Sequence, residues 1–213
     1  MATVKTWNGL ARANVKSYNG LASASWKTWN GLSTVAAVTY ATWNPADIGS
    51  QLTLSGGNLI LTKTTANAWR SVRSTIGKSS GKWYWEITIS NTAGQGTPGV
   101  ANASASLETA VGLDVNGWSY YGNSGQKFTN NSGSAYGEAW TNAHTIGVAL
   151  DMDAGTLIFL KDNVSQGTAF SSLSGTLYAA MGLHFNGDTS TVNFGASAMT
   201  YSPPSGYNAG LYS

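Results

Sequence analysis

The sequence lacks cysteine altogether, which excludes disulfides, thiolate catalysis and Cys-ligated metals. It is also poor in charge: 9% of its 213 residues are charged, against roughly 25% in an average globular protein. The 11 basic and 9 acidic residues are spread thinly and leave a net charge of +2. No cluster of Lys or Arg builds a phosphate-binding stripe, so nucleic acid is not an expected partner. No apolar run approaches the roughly 20 residues that span a bilayer, so membrane insertion is not expected either. Met1 to Asn14 contains no apolar h-region, and no Sec-type signal peptide is expected. Work outside a cell would then require lysis or a signal-independent route.

What is abundant points elsewhere. There are 26 Gly, 9 Trp and 10 Tyr, and hydrophobic residues make up 42%, enough for a real core. Strands favour Thr, Val, Tyr and Trp, and turns favour Gly, Asn and Ser, so the composition is that of an all-β protein. The clearest pattern is an internal repeat of period 11: V-K-T-W-N-G-L at 4–10, V-K-S-Y-N-G-L at 15–21 and W-K-T-W-N-G-L at 26–32. Lys5, Lys16 and Lys27 fall on it. So do Trp7-Asn8-Gly9, Tyr18-Asn19-Gly20 and Trp29-Asn30-Gly31. Asn-Gly is the strongest two-residue hairpin signal, because both residues tolerate the positive φ of a type I′ turn. Each repeat therefore reads as strand, tight turn, strand. Such units cannot bury a core alone; they stack as a solenoid, dock on the next domain, trimerise with other chains, or form an aromatic-anchored tail. The expected organisation is repeats at 1–34 for attachment or oligomerisation, a joint at 35–41, a β-sandwich at 42–208 and a tail at 209–213.

From Thr42 onward short apolar segments alternate with turn signals. Strands are expected at 51–54, 58–61, 83–89, 110–113, 146–150, 156–160, 178–183 and 190–194. No convincing amphipathic helix occurs, and strands at this spacing suggest a β-sandwich.

Several of these segments resemble the SPRY family. Gly81-Lys-Trp-Tyr-Trp-Glu-Ile87 is similar to the family's G-K-x-Y-W-E-V strand. Val111-Gly-Leu113, followed by Gly117-Trp-Ser-Tyr-Tyr121 and Gly125-Gln-Lys127, resembles its central strand and the segment after it. Thr145-Ile-Gly-Val-Ala-Leu-Asp151 with Gly155-Thr-Leu-Ile-Phe159 resembles its I-G-[CV]-x-[LI]-D hairpin. Leu177-Tyr-Ala-Ala180 and Val192-Asn-Phe-Gly195 match its L-Y-P-A and V-N-F-G endings, with Ala179 in place of the usual Pro. The resemblance spans about 150 residues in family order. It implies a bent antiparallel β-sandwich that acts as a non-catalytic interaction module, with ligand bound by loops at one edge. A SPRY domain preceded by W-N-G repeats further resembles those of bacteriophage virion and tail-associated proteins. Flanking words place the family's loops at 64–75, 91–108, 116–126 and 184–188. The ligand-contacting residues expected there are Asn67, Trp69, Arg70, Gln95, Trp118, Tyr120, Tyr121, Phe185 and Asn186. Arg73 resembles a structural arginine of the family, and Glu86 a structural acid.

Chemistry-bearing motifs are sparse. Neither His144 nor His184 sits in a nucleophile signature. Glu86 lies in phase with Tyr84 and Thr88, so it is the acid expected to be buried and hydrogen-bonded. Asp151-Met-Asp153-Ala-Gly155 starts like a calcium loop but has Asp162 where the bidentate Glu belongs, and a hairpin turn accounts for it better. Gly94-Gln-Gly-Thr-Pro-Gly99 lacks the P-loop Lys-Ser/Thr and reads as a flexible loop. No cofactor, metal or catalytic residue is expected. Trp118, Tyr120, Tyr121, Tyr136 and Trp140 are interleaved with Asn, as on sugar-binding or adaptable protein-binding surfaces. A sandwich core would equally use such rings.

Together these readings describe a phage virion binding module that presents its loops to a host-surface glycan or protein. The alternative is a structural virion protein, such as a capsid decoration or tail fibre component, bound to other virion subunits. A homo-oligomer, favoured as a trimer, and a virion or extracellular location follow from either. A glycan-cleaving enzyme is disfavoured by the sparse acids.

Overall fold

Trp83 to Ile89 is a run of aromatic and β-branched residues, the side chains that best fit a pleated, half-buried surface. In the computed structural model it forms the central strand of one sheet, with Trp85, Ile87 and Ile89 fully buried between two sheets. The structure describes residues 38–92 and 95–213. Within 1–37 it describes the strand segments 6–7, 10–11, 17–18, 21–22, 26–29 and 32–35. The chain divides into two units, residues 1–39 with Ser213, and residues 40–212.

The first unit contains three antiparallel pairs: β1 (Thr6–Trp7) with β2 (Leu10–Ala11), β3 (Ser17–Tyr18) with β4 (Leu21–Ala22), and β5 (Trp26–Trp29) with β6 (Leu32–Val35). Each strand pair falls on one copy of the repeat. Trp7 stands opposite Leu10, Tyr18 opposite Leu21 and Trp29 opposite Leu32. The turn positions Asn8, Gly9, Asn19, Gly20, Asn30 and Gly31 lie outside the described residues.

The second unit is an antiparallel sandwich. Its strands are β7 (Trp43–Ile48), β8 (Leu52–Ser55), β9 (Ile60–Lys63), β10 (Arg70–Lys78) and β11 (Lys82–Asn91). There follow β12 (Thr97–Ala101), β13 (Gly117–Tyr120), β14 (Lys127–Thr129), β15 (Ser132–Ser134) and β16 (Thr145–Asp151). The chain closes with β17 (Thr156–Lys161), β18 (Val164–Phe170), β19 (Leu177–Leu183), β20 (Thr189–Asn193) and β21 (Asn208–Ala209). One sheet has the order β15-β14-β13-β12-β19-β10-β7. The other has β18-β17-β16-β11-β20-β9-β8, with β21 added parallel to β11. Between them lies a core rich in rings, including Trp43 edge-on to Phe194 at 5.2 Å and Tyr120 against Phe159 at 5.4 Å.

Both sheets are covered on their outer faces as well. On the outer face of β11, Tyr84 packs with Ala149, Leu160, Met199 and Tyr207. Glu86, buried on the same face, accepts the amides of Thr200 at 2.7 Å and Tyr201 at 2.8 Å and the Tyr84 hydroxyl at 3.1 Å. That carboxylate pins the C-terminal segment across the sheet. Residues 209–212, expected as a tail, belong instead to the sandwich: Leu211 is buried and donates its amide to Phe194.

Other expectations are corrected too. The segment 110–113 is a turn rather than a strand. The strand of that region is β12, inside the stretch expected as a Gly-rich loop, and all five of its residues are buried. Residues 70–75 and 117–120, also expected in loops, are strands. In each case small or polar side chains hide a strand whose two faces are both covered.

Replacing Glu86 by Ala strands two amides and a phenol and is expected to cost about 3 kcal/mol of stability. Urea unfolding of wild type and variant checks this; a difference under about 0.5 kcal/mol would remove the carboxylate as the clasp.

Candidate ligand-binding site

The outer face of the first sheet is paved with small side chains. Alternation turns Val100 inward, and Gly99 and Ala101 outward. Gly99 pairs with Ala180 and Ser119, Thr97 with Gly182, and Ser71 with Gly182. This carpet lets the 102–116 segment lie close to the sheet. At Gly182 a Cβ would come within 2.3 Å of Thr97 Oγ1, so no larger residue fits there. The segment is then tied down. Arg73 forms a two-pronged pair with Asp47 at 2.7 and 2.8 Å and donates Nη1 to the carbonyls of Asn102 and Ala105 at 3.0 and 2.8 Å. Ser71 Oγ donates to the Thr109 carbonyl and Ser119 Oγ to that of Val111, both at 2.6 Å. Asp114 accepts the amides of Ser106 and Asn116 at 2.8 Å each.

Where this segment ends, a cavity of about 140 Å³ opens between it and the strand-end loops. Its walls are Trp69, Val111, Leu113, Tyr121 and Phe128, with Thr97 and Ala110. Tyr121 stands edge-on to Trp69 at 5.9 Å and to Phe128 at 5.7 Å, and its hydroxyl donates to Gln95 Oε1 at 2.7 Å. Trp69 also packs against His184, tilted by 58° with centroids 4.9 Å apart, and His184 meets Phe185 edge-on at 4.4 Å. The loops at 64–69 and 184–188 are bonded to each other. Asn67 Oδ1 accepts the Asn186 amide at 3.2 Å, and the His184 carbonyl accepts the Ala68 amide at 3.1 Å.

Two buried charges lie under these loops. Lys63 is fully buried and Asp188 nearly so. Burial lowers the Lys63 pKa from the ordinary lysine value and raises that of Asp188. Burial likewise lowers that of His184. Beside the loops, Arg70 bonds Ser50 Oγ at 2.9 Å, Glu108 Oε2 at 2.7 Å and its neighbour's carbonyl at 2.6 Å. Hydrogen bonds from the Ser50 amide and hydroxyl hold the Glu108 carboxyl below its usual range.

Of the expected ligand-contacting residues, Trp69 and Tyr121 line the pocket and Gln95 bonds the Tyr121 hydroxyl, while Asn67, Phe185 and Asn186 lie on the adjoining loops and are not among its walls. Arg70 lies beside these loops, with its guanidinium consumed in bonds to neighbouring groups. Trp118 and Tyr120 are not gathered there. Tyr120 is fully buried among Tyr136, Trp140 and Phe159, and Trp118, on the same face of β13, is half-buried against the core. Of the five aromatics expected at a surface, Trp140 is likewise buried, and Tyr136 packs on the core while donating to the Gly167 carbonyl at 2.7 Å. Val111, Leu113 and Phe128 are wall residues that the sequence reading did not single out. The signal for them was the turn word Asp114-Val-Asn-Gly117 directly after Leu113.

The acids elsewhere are spent on structure. Asp151 Oδ1 accepts the amides of Asp153 and Ala154, and Asp153 accepts that of Gly81, closing the β16–β17 hairpin. Among the described residues no group of three or more His, Asp or Glu is placed to hold a metal, and no helix is long and apolar enough to cross a membrane.

A two-sheet scaffold whose strand-end loops frame an uncharged aromatic pocket is the architecture of a binding module. The chain belongs to the SPRY domain family, whose model matches residues 82–197; these domains are generally non-catalytic. Among curated proteins it is similar to Ran-binding protein 9 of Xenopus tropicalis, 32% identical over 170 residues covering 75% of this chain and 31% of that protein. The mouse protein of the same name is 30% identical over 164 residues, covering 72% and 25%. The chain thus spans a third or less of these relatives' length. Among solved structures, the SPRY domain of human HERC1 superposes with a TM-score of 0.62 at 20% identity, covering 70% of this chain and 96% of that one. The TRIM65 PSpry domain gives 0.59 at 18%, covering 73% and 92%. Both share the fold.

The relatives correct the expectation of a phage protein. They are vertebrate proteins named for binding Ran, not virion, tail fibre or capsid decoration proteins. The host-surface glycan and virion-subunit partners fall with that expectation, as do the virion or extracellular location and the trimer argued from virion symmetry. The W-N-G-L repeats carry no phage assignment on their own.

A histidine whose folded-state pKa is lowered contributes stability that is present above its unfolded value, near 6.5, and lost as pH falls through the folded value. Asp188 runs the other way: its raised folded value favours the folded state at low pH, and that contribution is lost as pH rises. Thermal midpoints at pH 7.5 and 5.0 for wild type and His184→Gln separate the two. The variant is expected to lose less stability on acidification, and an identical pH response in both would show that His184 does not titrate with folding.

Proposed function

We propose that residues 40–212 act as a non-catalytic protein-binding module, which takes an apolar side chain of a partner polypeptide into the pocket between Trp69, Leu113, Tyr121 and Phe128. The observation that carries this is the character of the pocket. Its walls are carbon-rich and aromatic, the amide of Gln95 bonds the Tyr121 hydroxyl beside it, and no charged side chain is among its described walls. Rigid aromatic faces beside adaptable amides are what protein-recognition surfaces use. The relatives' name describes a protein-binding role for those proteins, in line with this reading. The same proposal treats residues 1–34 as a separate attachment element carrying three hairpins and 35–41 as its joint.

Selection from a displayed random-peptide library tests the site. Enriched peptides are expected to share one apolar position. Trp69→Ala and Tyr121→Ala are each expected to weaken binding about 30-fold, the loss of roughly 2 kcal/mol typical of an aromatic anchor. Val164→Ala, on the exposed strand β18, should bind as wild type. Failure to enrich any sequence, or equal binding by all three variants, would refute the assignment.

A further inference from the structure

We infer that Lys63 is a positioning residue for this site: its buried ammonium holds the 64–67 loop, which leads directly to the wall residue Trp69, against the 184–186 loop. The inference rests on the binding role proposed above.

Lys63 ends β9 with its side chain wholly removed from water. An ammonium has three donors and no acceptor, and here all three are used. Nζ donates to Gln51 Oε1 at 2.7 Å, to the Ala66 carbonyl at 2.7 Å and to the Thr65 carbonyl. Two of the three acceptors are backbone groups of the loop that leads to Asn67 and Trp69. Ala66 sits at φ +27°, a conformation that an L residue keeps only when its surroundings impose it. The residue's own backbone faces the other loop: its amide donates to the Asp188 carbonyl and its carbonyl accepts the Gly187 amide, both at 2.9 Å. Asp188 completes the arrangement, accepting the amides of Phe185 at 2.8 Å and His184 at 3.2 Å through Oδ2. A lysine at this depth is costly unless every donor is paired. Its pairing here is directed at loop carbonyls, whereas the strands around it are held by their own ladder bonds.

The test is hydrogen exchange with Lys63→Met, which keeps the length of the stem and removes the donors. Amides at 64–68 and 184–187 are expected to exchange about tenfold faster, while β11 and β16 exchange as in wild type. Library-selected peptides are expected to bind about tenfold more weakly. Gln51→Met provides a milder variant that retains the charge and both carbonyl bonds. It should raise exchange at 64–68 severalfold, with 184–187 nearly unchanged. Unaltered exchange in the two loops, in either variant, would overturn the inference. So would loss of protection spread evenly into β11 and β16, or full peptide affinity in Lys63→Met. If the loops loosen as expected but wild type enriches no peptide, the binding role falls and the anchor stands.

Discussion

A charge removed from water inside a protein must find groups to bond, and in this sandwich each buried charge bonds backbone atoms of an irregular segment. Among the described residues five charged side chains are buried: Lys63, Arg73, Glu86, Asp151 and Asp188. Lys63 takes the carbonyls of Thr65 and Ala66, and Arg73 those of Asn102 and Ala105. Glu86 takes the amides at 200 and 201, Asp151 those at 153 and 154, and Asp188 those at 184 and 185. The regular strands satisfy one another and need no such help. The loops cannot, and a chain with so few charges spends a quarter of them on this task. The cost of burying each charge ensures that each loop has one arrangement that satisfies it and many that do not.

The two sheets use their outer faces differently. The β11 sheet carries large side chains outward, Tyr84 among them, and is closed by the C-terminal segment under Glu86. The β12–β19 sheet carries Gly and Ala outward and is closed by a loop lying almost flat upon it. The pocket forms at the margin of that second cover, where the loop gives way to the strand ends and the bulk of Trp69, Tyr121 and Phe128 replaces that of glycine. The site is thus a by-product of where the small-residue pavement stops.

The strands that were legible in the sequence were those with apolar, β-branched and aromatic residues in alternation or in runs: β8, β9, β11, β16, β17, β19 and β20. Strands without that signature were not. β12 is short, contains Pro and Gly, and is buried on both faces, so no period of two emerges. β15 and β18 are edge strands and β14 lies next to the edge; all three are short of apolar residues, with Lys, Ser, Gly, Gln and Thr predominating as in the turns around them. Val111-Gly-Leu113 misled in the opposite sense. It has the apolar character of a strand, but it buries itself by lying on a glycine-paved face that is assembled from four other strands. For the site, the loops at 64–69 and 184–188 were legible as interruptions of the strand pattern, but that they bond each other, Asn186 to Asn67, was not. The choice among Trp118, Tyr120 and Tyr121 was not legible. Trp118 and Tyr120 share the inward face of β13, where Tyr120 packs on Phe159 and Trp140 from far along the chain, whereas Tyr121 follows the strand and lines the pocket.

Four of the five buried charges, Lys63, Arg73, Glu86 and Asp151, are strand residues that bond loop backbone, and a backbone group offers the same bond whatever side chain it carries. Positions such as Ala103 and Ser104, whose side chains bond nothing among the described residues, are therefore chemically free. The sandwich is to that extent a cassette holder: side chains at 103 and 104 can be exchanged without repacking the interior, provided the strand-borne anchors stay in place.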